Sequence, residues 1–332
     1  MTIKSSGGSP PTNSLSFSEI EAEFGSNGGR SLGDYRLTQS VGQLSNLPLD
    51  SGIPTSGQIK FSDFYGKRLN IVVDCHSGGR EDRKSAKNDK WNNNNLTVIG
   101  GFRSKKEDGS KIIIHVNKKF CSNKDAADRC ALRTGGFNSS STVQVDIGSS
   151  ARILGAGGNG GNGQNGIDGG LSGGGTGTSA LGIEHNGAVV NVSSGAIIRA
   201  GFGGGGGGSG GRQVDKGSDR RASGGGGGGG AGCPPGNGGN GGSVQGGDGD
   251  SGGNPGTSGS ETAGGNGGGG GDNDDQAGGQ SGGSGGDAQG NAGGAQGGAG
   301  GNGAAIRRTS GFSVTINNSG TITGSTSATG VS

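Results

Sequence analysis

The stretch Gly155-Ala156-Gly157-Gly158-Asn159-Gly160-Gly161-Asn162-Gly163-Gln164-Asn165-Gly166-Ile167-Asp168-Gly169-Gly170 places a polar side chain at every third position, with glycine in nearly every other place. It opens a window, residues 155–303, that holds 67 of the chain's 89 glycines. Runs such as Gly203 to Gly208 and Gly224 to Gly230 leave almost nothing for a side-chain core. Composition alone would make this window a flexible linker. The spacing argues otherwise. Three residues per turn is the period of a left-handed polyproline-II-type helix. One side chain in three then lies on one face and glycine occupies the other two, so neighbouring helices can approach closely and exchange N–H···O=C bonds. The spacing returns at Asn237, Asn240 and Ser243, at Ser281, Ser284 and Asp287, and at Gln296, Ala299 and Asn302. The expected structure is a bundle of polyglycine-II helices. Ordering glycine is costly, about 1–2 kcal/mol of backbone entropy per residue. Only a cooperative bundle, in which neighbours satisfy each internal group, can offset that.

A repeated β unit pins the window at both ends. Ser149-Ser150-Ala151-Arg152-Ile153-Leu154, Ser193-Ser194-Gly195-Ala196-Ile197-Ile198 and Asn318-Ser319-Gly320-Thr321-Ile322-Thr323 are three copies. Each follows an alternating strand, marked by Val143, Val145 and Ile147, by Val190 and Val192, and by Val314 and Ile316. Each copy reads as a strand, a tight polar turn and a short second strand. One such unit cannot bury its apolar face alone, so the copies stack.

Between the glycine runs lie polar islands. One is Arg212-Gln213-Val214-Asp215-Lys216-Gly217-Ser218-Asp219-Arg220-Arg221; others carry Asp248, Asp250 and Glu261, and then Asp272, Asp274 and Asp275. In a bundle these are loops at helix ends, where a rigid scaffold concentrates recognition residues. All twelve charged residues named here are candidate receptor contacts.

Charge is uneven along the chain. Residues 67–133 carry 16 basic and 8 acidic side chains, and residues 200–300 carry 4 basic and 9 acidic, against a total of +2. The basic residues are interleaved with acids, which reads as a solvated surface and not as a nucleic-acid site. No apolar h-region follows Met1 and no run of about 18 apolar residues exists, so neither a signal peptide nor a membrane span is expected. Cys75, Cys121, Cys130 and Cys233 lack zinc or CxxC spacing. Cys121 and Cys130 are candidates to pair, although a chain made in a reducing compartment keeps its thiols. His76, His115 and His185 are scattered, and no nucleophile motif, acid–base pair or P-loop appears. No enzyme, metal or cofactor is expected.

Residues 1–15 are polar and read as a tail. Short capped turns follow. Ser18 and Glu21 mark a helix start with Ile20 and Phe24 on one stripe. Phe17-Ser18-Glu19-Ile20 is echoed by Phe61-Ser62-Asp63-Phe64-Tyr65-Gly66, with Ser31-Leu32-Gly33-Asp34-Tyr35 between them. These elements are too small to fold alone. From Leu69 the pattern becomes strands: Asn70-Ile71-Val72-Val73, Leu96-Thr97-Val98-Ile99, and Lys111 to Val116, joined by charged connections. Trp91 reads as a core or domain-edge anchor.

Two resemblances add to this. The ordered string Ser16-Phe17-Ser18-Glu19-Ile20, Glu23-Phe24-Gly25, Ser31 to Tyr35 and Ile53 to Gly66 resembles an N-terminal module of tailed-bacteriophage virion proteins, which heads tail and fibre proteins of differing C-terminal content. Ala131 to Phe137, Ile153 to Gly158, Ser179 to Leu181 and Ile197 to Gly204 look like the glycine-rich C-terminal region of phage tail-fibre and receptor-binding proteins. The architecture is similar to that of the tip adhesin of T-even phage long tail fibres, which is known for a polyglycine-II sandwich with receptor-contacting loops.

The expectation is a mainly β chain in three parts: a virion attachment module at 1–68, a small β domain at 69–140, and a β-repeat base carrying the bundle at 141–332. Phe17, Ile20, Phe24, Tyr35, Phe61, Phe64 and Tyr65 are the attachment candidates. The implied role is a phage tail adhesin, located in the virion tail and assembled in the host cytoplasm. Its partners would be other tail or fibre proteins, a host glycan or outer-membrane protein, and two further copies if it is a homo-trimer. A purely structural fibre or baseplate component and a polyglycine-II ice-binding protein are the alternatives.

Overall fold

A computed structural model describes residues 14–24, 31–35, 53–54, 56–67, 71–75, 97–98, 111–122, 129–137, 139–215, 218–244, 251–271, 279, 285–286, 292–293 and 296–331. Its strands are β1 (Ile71–Cys75), β2 (Thr97–Val98), β3 (Lys111–Val116), β4 (Lys119–Cys121), β5 (Cys130–Arg133), β6 (Thr142–Ile147), β7 (Arg152–Leu154) and β8 (Ser179–Ile183). They continue with β9 (Ala188–Val192), β10 (Ile197–Arg199), β11 (Gly211–Asp215), β12 (Ser218–Ala222), β13 (Ile306–Arg308), β14 (Val314–Asn318), β15 (Thr321–Thr323) and β16 (Ala328–Thr329).

Three of the sheets are the faces of a parallel β-solenoid. The first runs β14-β9-β6-β3-β1-β2, the second β15-β10-β7-β4 and the third β16-β13-β8-β5. The chain visits the faces in turn, so β3–β5 make one coil, β6–β8 the next, β9, β10 and β13 a third, and β14–β16 the last. Alternation sends every second side chain inward. On the first face Ile114, Val145, Val190 and Ile316 are in register; on the second, Phe120, Ile153, Ile198 and Ile322; on the third, Leu132, Leu181 and Ile306. These ladders fill one continuous core, in which a fully buried isoleucine is worth about 1.5–3 kcal/mol over an exposed one.

The repeated β unit is thus a corner and not a hairpin. β6 and β7 lie in different sheets, and the turn between them, closed by the Ala151 N–H on the Gly148 carbonyl at 2.9 Å, stacks beneath its successor through the Ser193 N–H on the Ile147 carbonyl at 2.9 Å. A fourth copy precedes the three. Lys111 to Cys121 makes the same strand–corner–strand, but its corner is Asn117-Lys118 and lacks the serine that all three copies carry there. The first sheet and the core run unbroken across residue 140, so β3–β5 share one body with the repeats.

Both glycine-rich insertions leave at the same corner, between the second and third faces: 155–178 between β7 and β8, and 200–305 between β10 and β13. There the glycine segments bond to one another with a step of three. The N–H groups of Gly158, Gly161 and Gln164 donate to the carbonyls of Phe202, Gly205 and Gly208; those of Gly224, Gly227 and Gly230 donate to Gln164, Gly161 and Gly158. The 223–231 segment is the centre of the bundle. It bonds to segments 155–165, 201–210, 235–244, 251–260 and 263–271, and its Ala231 N–H reaches the Gly286 carbonyl. A Cβ at Gly224, Gly227 or Gly230 would land on a carbonyl of segment 201–210, one at Gly225 or Gly228 on segment 263–271, and one at Gly226 or Gly229 on segment 235–244. This explains the run of seven glycines: a helix packed on all three faces has no outward position for a side chain.

The asparagine rows have a second use that their spacing did not show. Asn159, Asn162 and Asn165 lie on the exposed face of segment 155–165, and their Oδ1 atoms accept the N–H groups of Asn237 at 3.0 Å, Asn240 at 2.9 Å and Ser243 at 2.7 Å. Each side-chain carbonyl stands in for the backbone acceptor that one more helix would have provided. Asn162→Ala is expected to cost about 1 kcal/mol and to accelerate hydrogen exchange at the Asn240 amide while leaving the central amides protected.

The N-terminal module holds a helix, α1 (Phe17–Phe24), and two 3-10 turns, Leu32–Tyr35 and Phe61–Phe64, and buries Ile20, Ile53 and Phe64. The cap lies two residues earlier than the sequence indicated. Ser16 is the cap: its N–H donates to the Glu19 carboxylate at 2.8 Å, and Glu19 N–H to Ser16 Oγ at 3.3 Å. The echo is faithful, for the Lys60 N–H donates to the Asp63 carboxylate at 2.7 Å.

Candidate functional site

The bundle has two ends. At the near end, segments 155–165 and 201–210 leave the solenoid. At the far end, the chain reverses through 166–171 and through a hairpin of β11 and β12. Residues 251, 271 and 279 bond around Ser223 at this end, through the Ser223 N–H on the Ser251 carbonyl, the Gly271 N–H on the Ser223 carbonyl and the Gly279 N–H on the Gly271 carbonyl.

Two polar side chains set the geometry of this tip. Gln164 donates from Nε2 to the carbonyls of Ile167 at 2.9 Å and Gly169 at 2.7 Å, and its Oε1 accepts the Gly210 N–H at 2.9 Å. Ser223, buried, accepts the Gly166 N–H at 2.9 Å and donates to the Ser243 carbonyl at 2.7 Å. Together they tie the 166–171 loop, the root of the hairpin and the end of segment 235–244 into one frame. Loops ordered in advance lose less entropy on binding.

On this frame Arg212 and Arg221 stand opposite one another across the hairpin. Like charges so placed repel, and Asp168 from the neighbouring loop answers with an ion pair to Arg221 at 2.6 Å. The tip also carries apolar surface. Among the described residues the exposed large hydrophobic side chains are Phe61, Leu171 and Val244. Two of these three are at the far end of the bundle, and sequence reading did not select either. A single leucine or valine beside glycine has no periodicity to mark it; only the fold shows that both stand at helix ends.

Of the expected recognition residues, Arg212 and Arg221 are at the tip, and Asp215, Asp219 and Arg220 occupy hairpin strand positions. Lys216, Asp248, Asp250, Asp272, Asp274 and Asp275 lie outside the described residues, as do His76 and Trp91; the flanking residues 244, 251, 271 and 279 are at the tip. Glu261 is at the opposite end. It sits in the 260–263 turn, where the bundle meets the outer side of the second sheet, and pairs with Lys119 of β4, with Arg152 of β7 at 3.3 Å and with Arg199 of β10 at 3.5 Å. Arg199 Nη2 also donates to the Glu261 carbonyl at 2.7 Å. Burial alone would push the Glu261 carboxyl up, but the Lys119 hydrogen bond and the charges of Lys119, Arg199 and Arg152 outweigh it and hold the carboxyl below its ordinary value. Arg199 is lowered, chiefly by burial, with Glu261 opposing that and Arg152 adding to it.

Beside this clamp the expected cysteine chemistry is corrected. Cys121 bonds to Cys233, 112 residues away, and Cys130 is buried in the core with its thiol intact. The pairing was hidden because Cys233 belongs to a bundle turn whose landing place depends on the whole insertion. Of the attachment candidates, Phe17 and Phe61 meet edge to face at 5.3 Å, Ile20 and Phe64 are buried and Tyr65 is half-buried; Phe24 closes α1 and Tyr35 the first 3-10 turn.

Among the described residues no group of three His, Cys, Asp or Glu could hold a metal ion, and no helix is long and apolar enough to cross a membrane. No protein-family model matches the chain, and neither does any curated protein sequence. Among solved structures it is similar to the gp37–gp38 adhesin tip complex of the bacteriophage S16 long tail fibre, at 19% identity, covering 93% of this chain and 96% of that one, with a TM-score of 0.40. At that level of likeness, function has to be read from the chain's own residues.

Proposed function

We propose that the chain is a non-enzymatic tail adhesin of a bacteriophage virion. The module at 1–68 seats it on the tail or fibre, the solenoid carries the bundle, and the far end of the bundle binds a receptor on the host surface. The observation that carries this reading is the placement of exposed apolar side chains. Leu171 and Val244 stand at the far end, on a preorganised frame with Arg212, Arg221 and Asp168, and Phe61 stands in the module that resembles phage attachment segments. A purely structural component would have no use for a fixed apolar and charged surface at a free end. Between Phe202, which is buried, and Phe312 the sequence has no aromatic residue. Sugar rings stack on aromatic faces, so the tip favours loops of a surface protein over a glycan.

The test is competition for adsorption to the host of the phage that carries it. Full-length chain is expected to block adsorption. A Leu171→Asp, Val244→Asp variant is expected to block it about tenfold less well or worse, as for loss of interface anchors. Phe61→Ala is expected to compete normally but to incorporate poorly into tails. Equal competition by the tip variant would leave only a structural role.

A further inference from the structure

The outer side of the second sheet holds two kinds of attachment in one patch. Lys119 and Cys121 alternate on β4, Lys119 in register with Arg152, and Cys121 in register with Leu154 and through it with Arg199. The bundle lands there with two neighbouring turns. The 260–263 turn brings Glu261 onto the three cations, and the 231–235 turn brings Cys233 onto Cys121. The turns are tied together by the Gly232 N–H on the Ser260 carbonyl at 3.1 Å, and to the base by the Cys233 N–H on the Gly155 carbonyl at 2.8 Å. Cys121, Leu154 and Cys233 form a small apolar cluster of their own, with Ile197 packed against it.

We propose that Cys121 and Cys233 are a redox seal on a bundle that is already docked. Ion pairs, backbone bonds and the packing of Cys233 against Leu154 and Ile197 seat the two turns without need of the S–S bond, so the reduced chain holds both thiols side by side. Sealing then follows by exchange with a low-molecular-weight disulfide such as oxidised glutathione. One cysteine thiolate attacks a glutathione sulfur, the glutathione S–S bond breaks, and one glutathione thiolate leaves. The second cysteine thiolate attacks the protein sulfur of the mixed disulfide and expels the other glutathione thiolate. The two cysteines lose two electrons, and the two protons end on two glutathione thiols. The bridge closes a loop spanning 112 residues, and cross-links over long loops restrict the unfolded chain most. Both sulfurs are nearly buried, so exchange in either direction passes through opening of the 231–235 turn. The sealed form should resist reductant until the turn opens, while the unsealed form can open and close. A chain assembled among reduced thiols and released into oxidising medium would thus lock its bundle late. The seal itself does not depend on the receptor assignment.

The test uses full-length chain, purified reduced and then equilibrated with glutathione at graded reduced-to-oxidised ratios. Peptide mapping after alkylation reads the bridge, and limited digestion by a non-specific protease reads opening of residues 200–305. The reduced chain and Cys233→Ser are expected to retain the fold and core protection of the oxidised chain, with cleavage in 200–305 faster by about tenfold. Glu261→Gln is expected to slow sealing, because the turn is seated less of the time. Equal cleavage of oxidised and reduced chain would overturn the seal. An unfolded bundle in the reduced chain would also overturn it, by making the bridge a condition of folding. A bridge from either cysteine to Cys75 or Cys130 at equilibrium would do the same.

Discussion

Replacing Gly227 with alanine is expected to unfold the bundle and leave the solenoid standing. Gly227 lies at the middle of the central segment. Its N–H donates to the Gly161 carbonyl at 2.7 Å, its carbonyl accepts the Gly239 N–H at 2.7 Å, and an added Cβ would sit on the Gly205 carbonyl oxygen. That obstruction is backbone, which cannot rotate away as a side chain does. Three segments would have to separate, and separation breaks their hydrogen bonds. The expected cost is about 3 kcal/mol or more, above the usual range for an overpacked core, because helices stabilised by mutual bonding have no apolar core to absorb the shift. Gly170→Ala is the control. A Cβ there meets nothing within 4 Å, and the change is expected to be neutral or to stabilise by about 0.4–1 kcal/mol through the unfolded state. Thermal melts followed by amide exchange separate the two outcomes. In Gly227→Ala, amides of 155–178 and 200–305 lose protection while those of β6 and β9 keep it. A Gly227→Ala chain that melts like wild type would mean that the segments are not in close contact.

This contrast explains which parts of the fold could be read in the sequence. The bundle was legible because its interior tolerates only one residue type, so packing writes itself directly into spacing: Asn159, Asn162 and Asn165 mark the outer face, while that the unbroken glycine from 224 to 230 is the centre emerged only from the fold. The solenoid was legible where its corners repeat. It was missed at β3 and β4, where Asn117-Lys118 turns the chain without serine or glycine, and the segment passed for part of a separate domain. Where the candidate residues would lie was not legible in the sequence. Arg212, Asp215, Asp219, Arg220, Arg221 and Glu261 all looked like loop charges, but whether a loop is at the tip or at the base depends on how many times the chain has reversed before reaching it. Counting reversals requires every turn to be known, and the turn at Cys233-Pro234 resembles any other. Leu171 and Val244 lack even a charge to draw attention. Cys121–Cys233 fell to the same difficulty.

Glu261→Lys is expected to lift the near end of the bundle off the base. The carboxylate is shared by Lys119, Arg152 and Arg199 on three adjacent strands, and Arg199 is nearly buried. A lysine there would be the fourth cation in the patch, with no anion left among the described residues that pair there. Arg199 would then be a buried charge without its counter-ion, the situation in which removing one partner costs most. Glu261→Gln keeps the shape and removes the charge, and is expected to cost less, about 1–3 kcal/mol. The pH dependence distinguishes the clamp from packing. Folding holds the Glu261 carboxyl below its ordinary value of 4.5, so its contribution is present in full above that value and is lost as pH falls through the lower folded one. The difference in melting temperature between wild type and Glu261→Gln should therefore be constant from neutral pH down to about pH 5 and shrink below about pH 4. Both chains lose stability in acid as other carboxylates protonate, which is why the difference carries the information. A difference that persists unchanged in acid would assign the loss to packing, and the three-strand clamp would then be no more than a surface arrangement.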